Sequence, residues 1–188
     1  MGIGLVLLAL LGVLVLVAGW AIVTYNSLVT LRNQLENAWA QIDVQLKRRH
    51  DLIPNLVETV GDYMEYEEEV LTRVTDARSR AVSAEGPAEQ AEAENMLTGA
   101  LRQLFAVVEN YPELKANENV MALQDELTGT ENRIALSRQF YNDTVMRFNT
   151  KIQMFPTNLI AGLLGFGERE FFEVRDEAER APVEVDLR

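Results

Sequence analysis

From Ile3 to Val23 the chain runs for 21 residues without a charged side chain, nearly all Leu, Val, Ala, Ile or Gly. At 1.5 Å per residue such a run makes a helix of roughly 31 Å, the hydrocarbon thickness of a bilayer. Trp20 and Tyr25 bracket its downstream end, where amphipathic rings favour the headgroup layer. A competing reading is a cleaved signal peptide with Val17-Ala18-Gly19 as the cleavage site, which would give an exported soluble protein. No Lys or Arg precedes the run, however, and the run exceeds the usual apolar core of a signal. The expectation is a transmembrane anchor over residues 1–24. Arg32, Lys47, Arg48 and Arg49 follow the span and no side-chain cation precedes it. That asymmetry predicts a single-pass protein of the cell membrane with its N-terminus outside and its body cytoplasmic.

Beyond Tyr25 the apolar positions recur at intervals of three and four. Leu28, Leu31, Leu35, Ala38 and Ile42 form one stripe; Leu56, Val60, Tyr63, Val70, Val74, Ala77 and Ala81 form a second. Leu97, Leu101, Leu104, Val108 and Tyr111 form a third, and the fourth runs from Val120 through Leu127, Ile134, Tyr141, Val145, Phe148 and Ile152 to Phe155. Such spacing places each set on one helix face, and no comparable stretch alternates as a strand does. Asp51 with Pro54, Gly86-Pro87, Tyr111-Pro112 and Asn117 or Asn119 supply stops and caps between stripes. The fold class expected is all-α: the anchor followed by an up-down antiparallel four-helix bundle over 25–154. A chain that only kinks at 50–54 would instead make one long first helix and a three-helix bundle. Residues 155–172 form an apolar segment, read as lying near the membrane or capping the bundle. Residues 173–188, where acids outnumber arginines, read as a solvated tail.

Composition removes several kinds of chemistry. With no Cys there are no disulfides, thiolate metal sites or cysteine nucleophiles. A net charge of −12 argues against sequence-independent nucleic-acid binding, which needs clustered cations. The one histidine, His50, follows Lys47 and not a Glu at the spacing that a di-metal carboxylate bundle uses. Glu67, Glu68 and Glu69 are consecutive, so they point around a helix instead of converging. Phosphate-loop and nucleophile-elbow patterns are missing. No catalytic, cofactor-binding or metal residues are therefore nominated, and no cofactor. Asn37, Glu131, Asn132, Arg138, Asn142 and Asn149 lie near the apolar stripes. Buried groups of this kind fix helix register and partner choice; the alternative is a polar ligand pocket inside the bundle.

Several of these segments are similar to the LemA family of prokaryotic membrane proteins. They are Tyr25-Asn26-Ser27-Leu28-Val29, Asn37-Ala38-Trp39, Gln41 through Arg49, Asp51-Leu52-Ile53-Pro54-Asn55-Leu56-Val57, Glu109 through Lys115, Thr130 through Ala135, Arg138 through Asn142, and Phe155-Pro156. The resemblance spans roughly Tyr25 to Phe172, in order. It implies one N-terminal membrane helix, a helical body and no established enzymatic activity, with relatives in magnetosome-forming bacteria linked to building that organelle. The function expected is a membrane-anchored bundle acting by protein–protein or membrane-proximal contact, as a scaffold or assembly factor without catalysis of its own. Its partners would be the lipid bilayer, other copies of itself and other membrane proteins, and not nucleic acid. A carboxylate-based metal-binding or enzymatic bundle is the alternative.

Overall fold

A computed structural model describes residues 2–64 and 66–173. Six helices follow one another: α1 (Gly2–Gly61), α2 (Glu68–Ser83), α3 (Gly86–Val108), α4 (Pro112–Lys115), α5 (Glu118–Gln153) and α6 (Thr157–Leu163). No strand occurs among the described residues. The punctuation read from the sequence falls where expected at three joints. Gly86, in the left-handed region at φ 82°, turns the chain into α3, whose first turn carries Pro87. Tyr111-Pro112 separates α3 from α4. Asn117 caps α5, its Oδ1 accepting from Asn119 N at 2.9 Å and Val120 N at 3.3 Å.

The fourth joint is a correction. The hairpin expected at 50–54 does not exist, and α1 continues through Pro54 as a single helix of 60 residues. Proline has no N–H, so Pro54 leaves the carbonyl four residues earlier, at His50, without its helical donor. Arg78 of α2 supplies one: its Nε donates to His50 O at 2.7 Å. Pro54 itself is exposed, so its ring meets solvent and no packed neighbour. The reversal comes after Gly61, where Met64 N donates to Val60 O and Glu67 N to Met64 O, both at 3.1 Å. The second apolar stripe therefore belongs to two antiparallel helices. Leu56 and Val60 close α1, while Val70, Val74, Ala77 and Ala81 line α2.

The chain packs as two compact units, each drawing on α1 and α5. One is built from Val44–Ala135. Its core takes Ile53, Leu56 and Val60 from α1, Val70 and Val74 from α2, and Leu97, Leu101 and Leu104 from α3. Leu114 of α4 and Val120 and Leu127 of α5 complete it. Alanines at 77, 81, 93 and 100 sit in the same core, where small side chains let α2 and α3 approach closely.

The other unit joins the chain up to Asp43 with Leu136–Glu170. Leu28, Leu35, Ala38 and Ile42 of α1 are buried here with Tyr141, Val145, Phe148 and Ile152 of α5. Trp39 packs on Tyr141 with ring centroids 5.4 Å apart. α6 buries Thr157 and Ala161 and leaves Leu159 and Leu163 exposed. After Gly165, left-handed at φ 72°, the chain doubles back along α5. Asn149 clamps it there, donating from Nδ2 to Arg169 O and accepting from Arg169 N, both at 2.9 Å. Tyr141 OH donates to Glu170 O at 2.9 Å. Burial pushes the Tyr141 phenol up to about 12, with the Arg169 charge opposing and the Glu170 charge reinforcing the shift. The acidic tail expected over 173–188 lies, beyond Glu173, outside the described residues.

Two outcomes follow from these contacts. Removing the Arg78 side chain (R78A) orphans a carbonyl and should cost about 1–3 kcal/mol in urea unfolding. The same change in a P54A background should cost less, because the restored amide at position 54 takes that carbonyl; a double-mutant cycle reads the coupling. For Tyr141, the neutral phenol is favoured by folding, so its contribution is complete below pH 10 and fades as pH rises toward 12. Ultraviolet titration should show a tyrosine ionising near pH 12 that Y141F removes.

Candidate functional site

The most concentrated polar chemistry lies inside the Val44–Ala135 unit. Gln90, Glu94 and Thr98 fall four residues apart on α3, which places them on one helix face. Arg49 and His50 face them from α1. Both are buried, Arg49 only 2% exposed, and Glu94 is 4% exposed. Arg49 Nη1 donates to Glu94 Oε2 at 3.1 Å, and Arg49 Nη2 donates to Thr98 Oγ1 at 2.8 Å. His50 Nε2 donates to Glu94 Oε1 at 2.6 Å. Gln90 Nε2 reaches the same oxygen at 3.1 Å and also donates to Ala81 O at 2.9 Å, satisfying a carbonyl in the last turn of α2.

A buried carboxylate is costly unless opposite charge and donors surround it. Glu94 has both: a guanidinium on one oxygen, an imidazole N–H and an amide on the other. The network reaches α5 through Arg49 Nη2 and Glu131 Oε2, 3.7 Å apart, and a surface pair of Arg48 with Glu126 runs beside it. With Arg78 on the His50 carbonyl, α1, α2, α3 and α5 are tied at one level by polar contacts alone.

A cavity of about 160 Å³ opens beside Arg49, lined by Thr98, Leu101, Phe105, Leu127 and Glu131. Pockets that enclose small-molecule ligands run to about 300–1,000 Å³, so this space suits a few waters. A wider groove of about 830 Å³ lies open between α2 and α3, with Glu68, Glu69 and Asp76 facing Arg73 and Arg80. Arg73 there donates to Glu69 Oε1 at 2.7 Å and to Gln103 Oε1 at 2.5 Å.

The polar residues singled out in the sequence meet different fates. Glu131 finds its partner on another helix, Arg49. Asn149 holds the returning stretch 166–170. Asn142 is half-buried, while Asn37, Asn132 and Arg138 are exposed. Among the acids at 67–69, Glu67 accepts from the Tyr111 hydroxyl at 3.5 Å and Glu69 turns to Arg73, so they diverge. Desolvation and the Glu67 charge raise the Tyr111 pKa. Among the described residues no three His, Asp or Glu side chains gather as a metal-holding group.

Sequence reasoning missed Glu94. The signal was available, because extending the third stripe upstream from Leu101 and Leu97 in steps of three and four lands on Glu94 and Gln90.

These features define an all-helical protein whose internal charges satisfy one another and whose first helix carries a long apolar extension. The chain belongs to the LemA family, whose model matches residues 38–187. It is similar to Protein LemA of Metamycoplasma hominis, 29% identical over 164 residues that cover 85% of this chain and 73% of that one. It is also similar to Magnetosome protein MamQ 2 of Paramagnetospirillum magneticum, 27% identical over 175 residues. That match covers 79% of this chain and 64% of the magnetosome protein. Magnetosome protein MamQ of Magnetospirillum gryphiswaldense matches at 27% over 174 residues, with the same coverage of 79% and 64%. The chain thus spans just under two thirds of the magnetosome proteins it matches.

Truncating Glu94 leaves the buried Arg49 with only the longer charge contact to Glu131, so E94A should lower unfolding free energy by up to about 3–5 kcal/mol. Replacing both members with methionine (R49M with E94M) should cost less than E94A alone, measured by urea unfolding of the detergent-solubilised chain.

Proposed function

We propose that this protein is a single-pass membrane protein whose helical body acts by protein–protein contact, as a scaffold or assembly factor without catalysis. The observation that carries this reading is the state of the first helix. Every residue from Ile3 to Trp20 is exposed, including Leu5, Leu7, Leu8, Leu10, Leu11 and Leu14. Burying such side chains is worth about 1.5–3 kcal/mol each, so the stretch as a whole favours an apolar phase by tens of kcal/mol. The helix is long and apolar enough to cross a membrane, and the protein's own body covers none of that window. Its backbone bonds are internal, as a bilayer requires.

Arg32, Lys47 and Arg48 lie on the body side of the span, which supports a cytoplasmic body. The non-catalytic reading draws on the saturation of Arg49, His50 and Glu94 by one another, since an acid–base catalyst must face a substrate. The magnetosome proteins among its relatives are compatible with this reading.

The full-length chain, its intact mass confirming retention of Met1–Gly19, should sediment with membranes after alkaline carbonate washing and leave them only in detergent. Recovery of that same full-length chain in the aqueous supernatant would overturn the anchor. Crosslinking in native membranes should capture the chain with itself or with other membrane proteins; a monomer without neighbours would overturn the scaffold role.

A further inference from the structure

We propose that the segment Met154–Leu164 inserts into the interfacial layer of the same bilayer that α1 crosses, giving the body a second, non-spanning contact with lipid. The inference rests on the membrane reading of α1 and adds a site to it.

Register within the Leu136–Glu170 unit sets the height of this segment. Trp39 of α1 packs at a tilt on Tyr141 of α5, and Phe166 meets both Tyr25 and Phe148, so the helices run antiparallel. From Tyr141 to the end of α5 at Gln153 is 12 residues, or about 18 Å of helix. The same distance back along α1 from Trp39 arrives near Ser27, four residues from Val23, where the apolar run ends. The chain leaving α5 therefore stands at the edge of the hydrocarbon. Two contacts fix it there: the Phe166 ring lies 6.2 Å from Tyr25, edge to face, and 6.4 Å from Phe148. The Arg32 guanidinium sits over the same ring at 5.8 Å. Thr24, the first residue past the apolar run, is already buried.

What the segment offers at that height is apolar. No Asp, Glu, Lys or Arg occurs from 152 to 167. Leu163 is 85% exposed, Phe155 78% and Leu159 63%, with Met154 and Leu164 about half exposed. Thr157 and Ala161, four apart, bury the opposite face of α6, so Leu159 and Leu163 point away from the body together. At seven residues α6 is far too short to span, and its leucines match the boundary between headgroups and acyl chains. The headgroup layer is some 5–7 Å deep on each side, comparable to the rise from Val23 to Tyr25 and Ser27. Tyr25 and Trp20 mark that layer on α1 itself. A second copy of the chain could also cover these leucines, but continuity with the lipid-facing stretch of α1 favours lipid.

The absence of cysteine makes the test direct. Full-length chain carrying L163C, or in parallel L159C, is spin-labelled and reconstituted in vesicles of phosphatidylethanolamine and phosphatidylglycerol. Collision with oxygen, which concentrates in lipid, is compared with collision with an aqueous nickel chelate. V13C in the apolar run and L136C on the exposed face of α5 give the two reference environments. The expected result is an oxygen-to-chelate ratio at 163 and 159 well above that at 136 and below that at 13, as for a boundary position. A lipid-like ratio at 13 with a water-like ratio at 163 overturns this proposal and leaves the anchor intact. A water-like ratio at 13 overturns both. Shielding of 163 from both reagents, relieved by diluting protein in lipid, overturns it in favour of contact between copies.

Discussion

The fold turns on a hydrogen bond that no helix propensity supplies: Arg78 Nε to the His50 carbonyl that Pro54 leaves without a donor. With that acceptor satisfied, α1 runs unbroken from the apolar stretch at Gly2 to Gly61. One continuous helix therefore contributes both the exposed leucines of its first half and the Ile53, Leu56 and Val60 face of a packed core. A hairpin at the same place would have detached those two functions into separate helices. The residue that a sequence reader takes for a helix start is accommodated in mid-helix because it faces solvent and its cost is met from a neighbouring helix.

Next to that bond, Glu94 organises the interior of the Val44–Ala135 unit. Its oxygens gather donors from Arg49, His50 and Gln90, and the same side chains also hold Thr98, Glu131 and the Ala81 carbonyl. A buried ion pair of this kind adds little net stability compared with apolar packing, yet it penalises every misregistered arrangement in which one charge is left alone. An aliphatic core accepts slippage by one turn far more readily than a carboxylate does. The network thus specifies which face of α1 meets which face of α3.

The other unit uses neutral polar groups for a similar purpose. Asn149 and Tyr141 hold the chain after Gly165 by its backbone, and Phe166 is placed against Tyr25 and Arg32. These contacts decide where the apolar residues of Met154–Leu164 are displayed, because a segment of seven helical residues has too little burial of its own to choose a position.

Helical class, the apolar N-terminal stretch, most buried positions, the helix starts at Gly86 and Pro112 and the cap at Asn117 were legible in the sequence, since periodicity and capping are local properties encoded within a few residues of where they act. Leu28, Ile42, Val74, Leu104, Val145 and Phe148 are buried as their stripes require. The path through Pro54, the break after Gly61 and the partners of Glu94 were decided by tertiary structure. Each depends on a group distant in sequence: Arg78 lies 28 residues from His50, and Glu94 lies 44 or 45 from its partners on α1. Local pattern states which residues must be buried or capped. Only the packed chain states which distant donor arrives to make that burial possible.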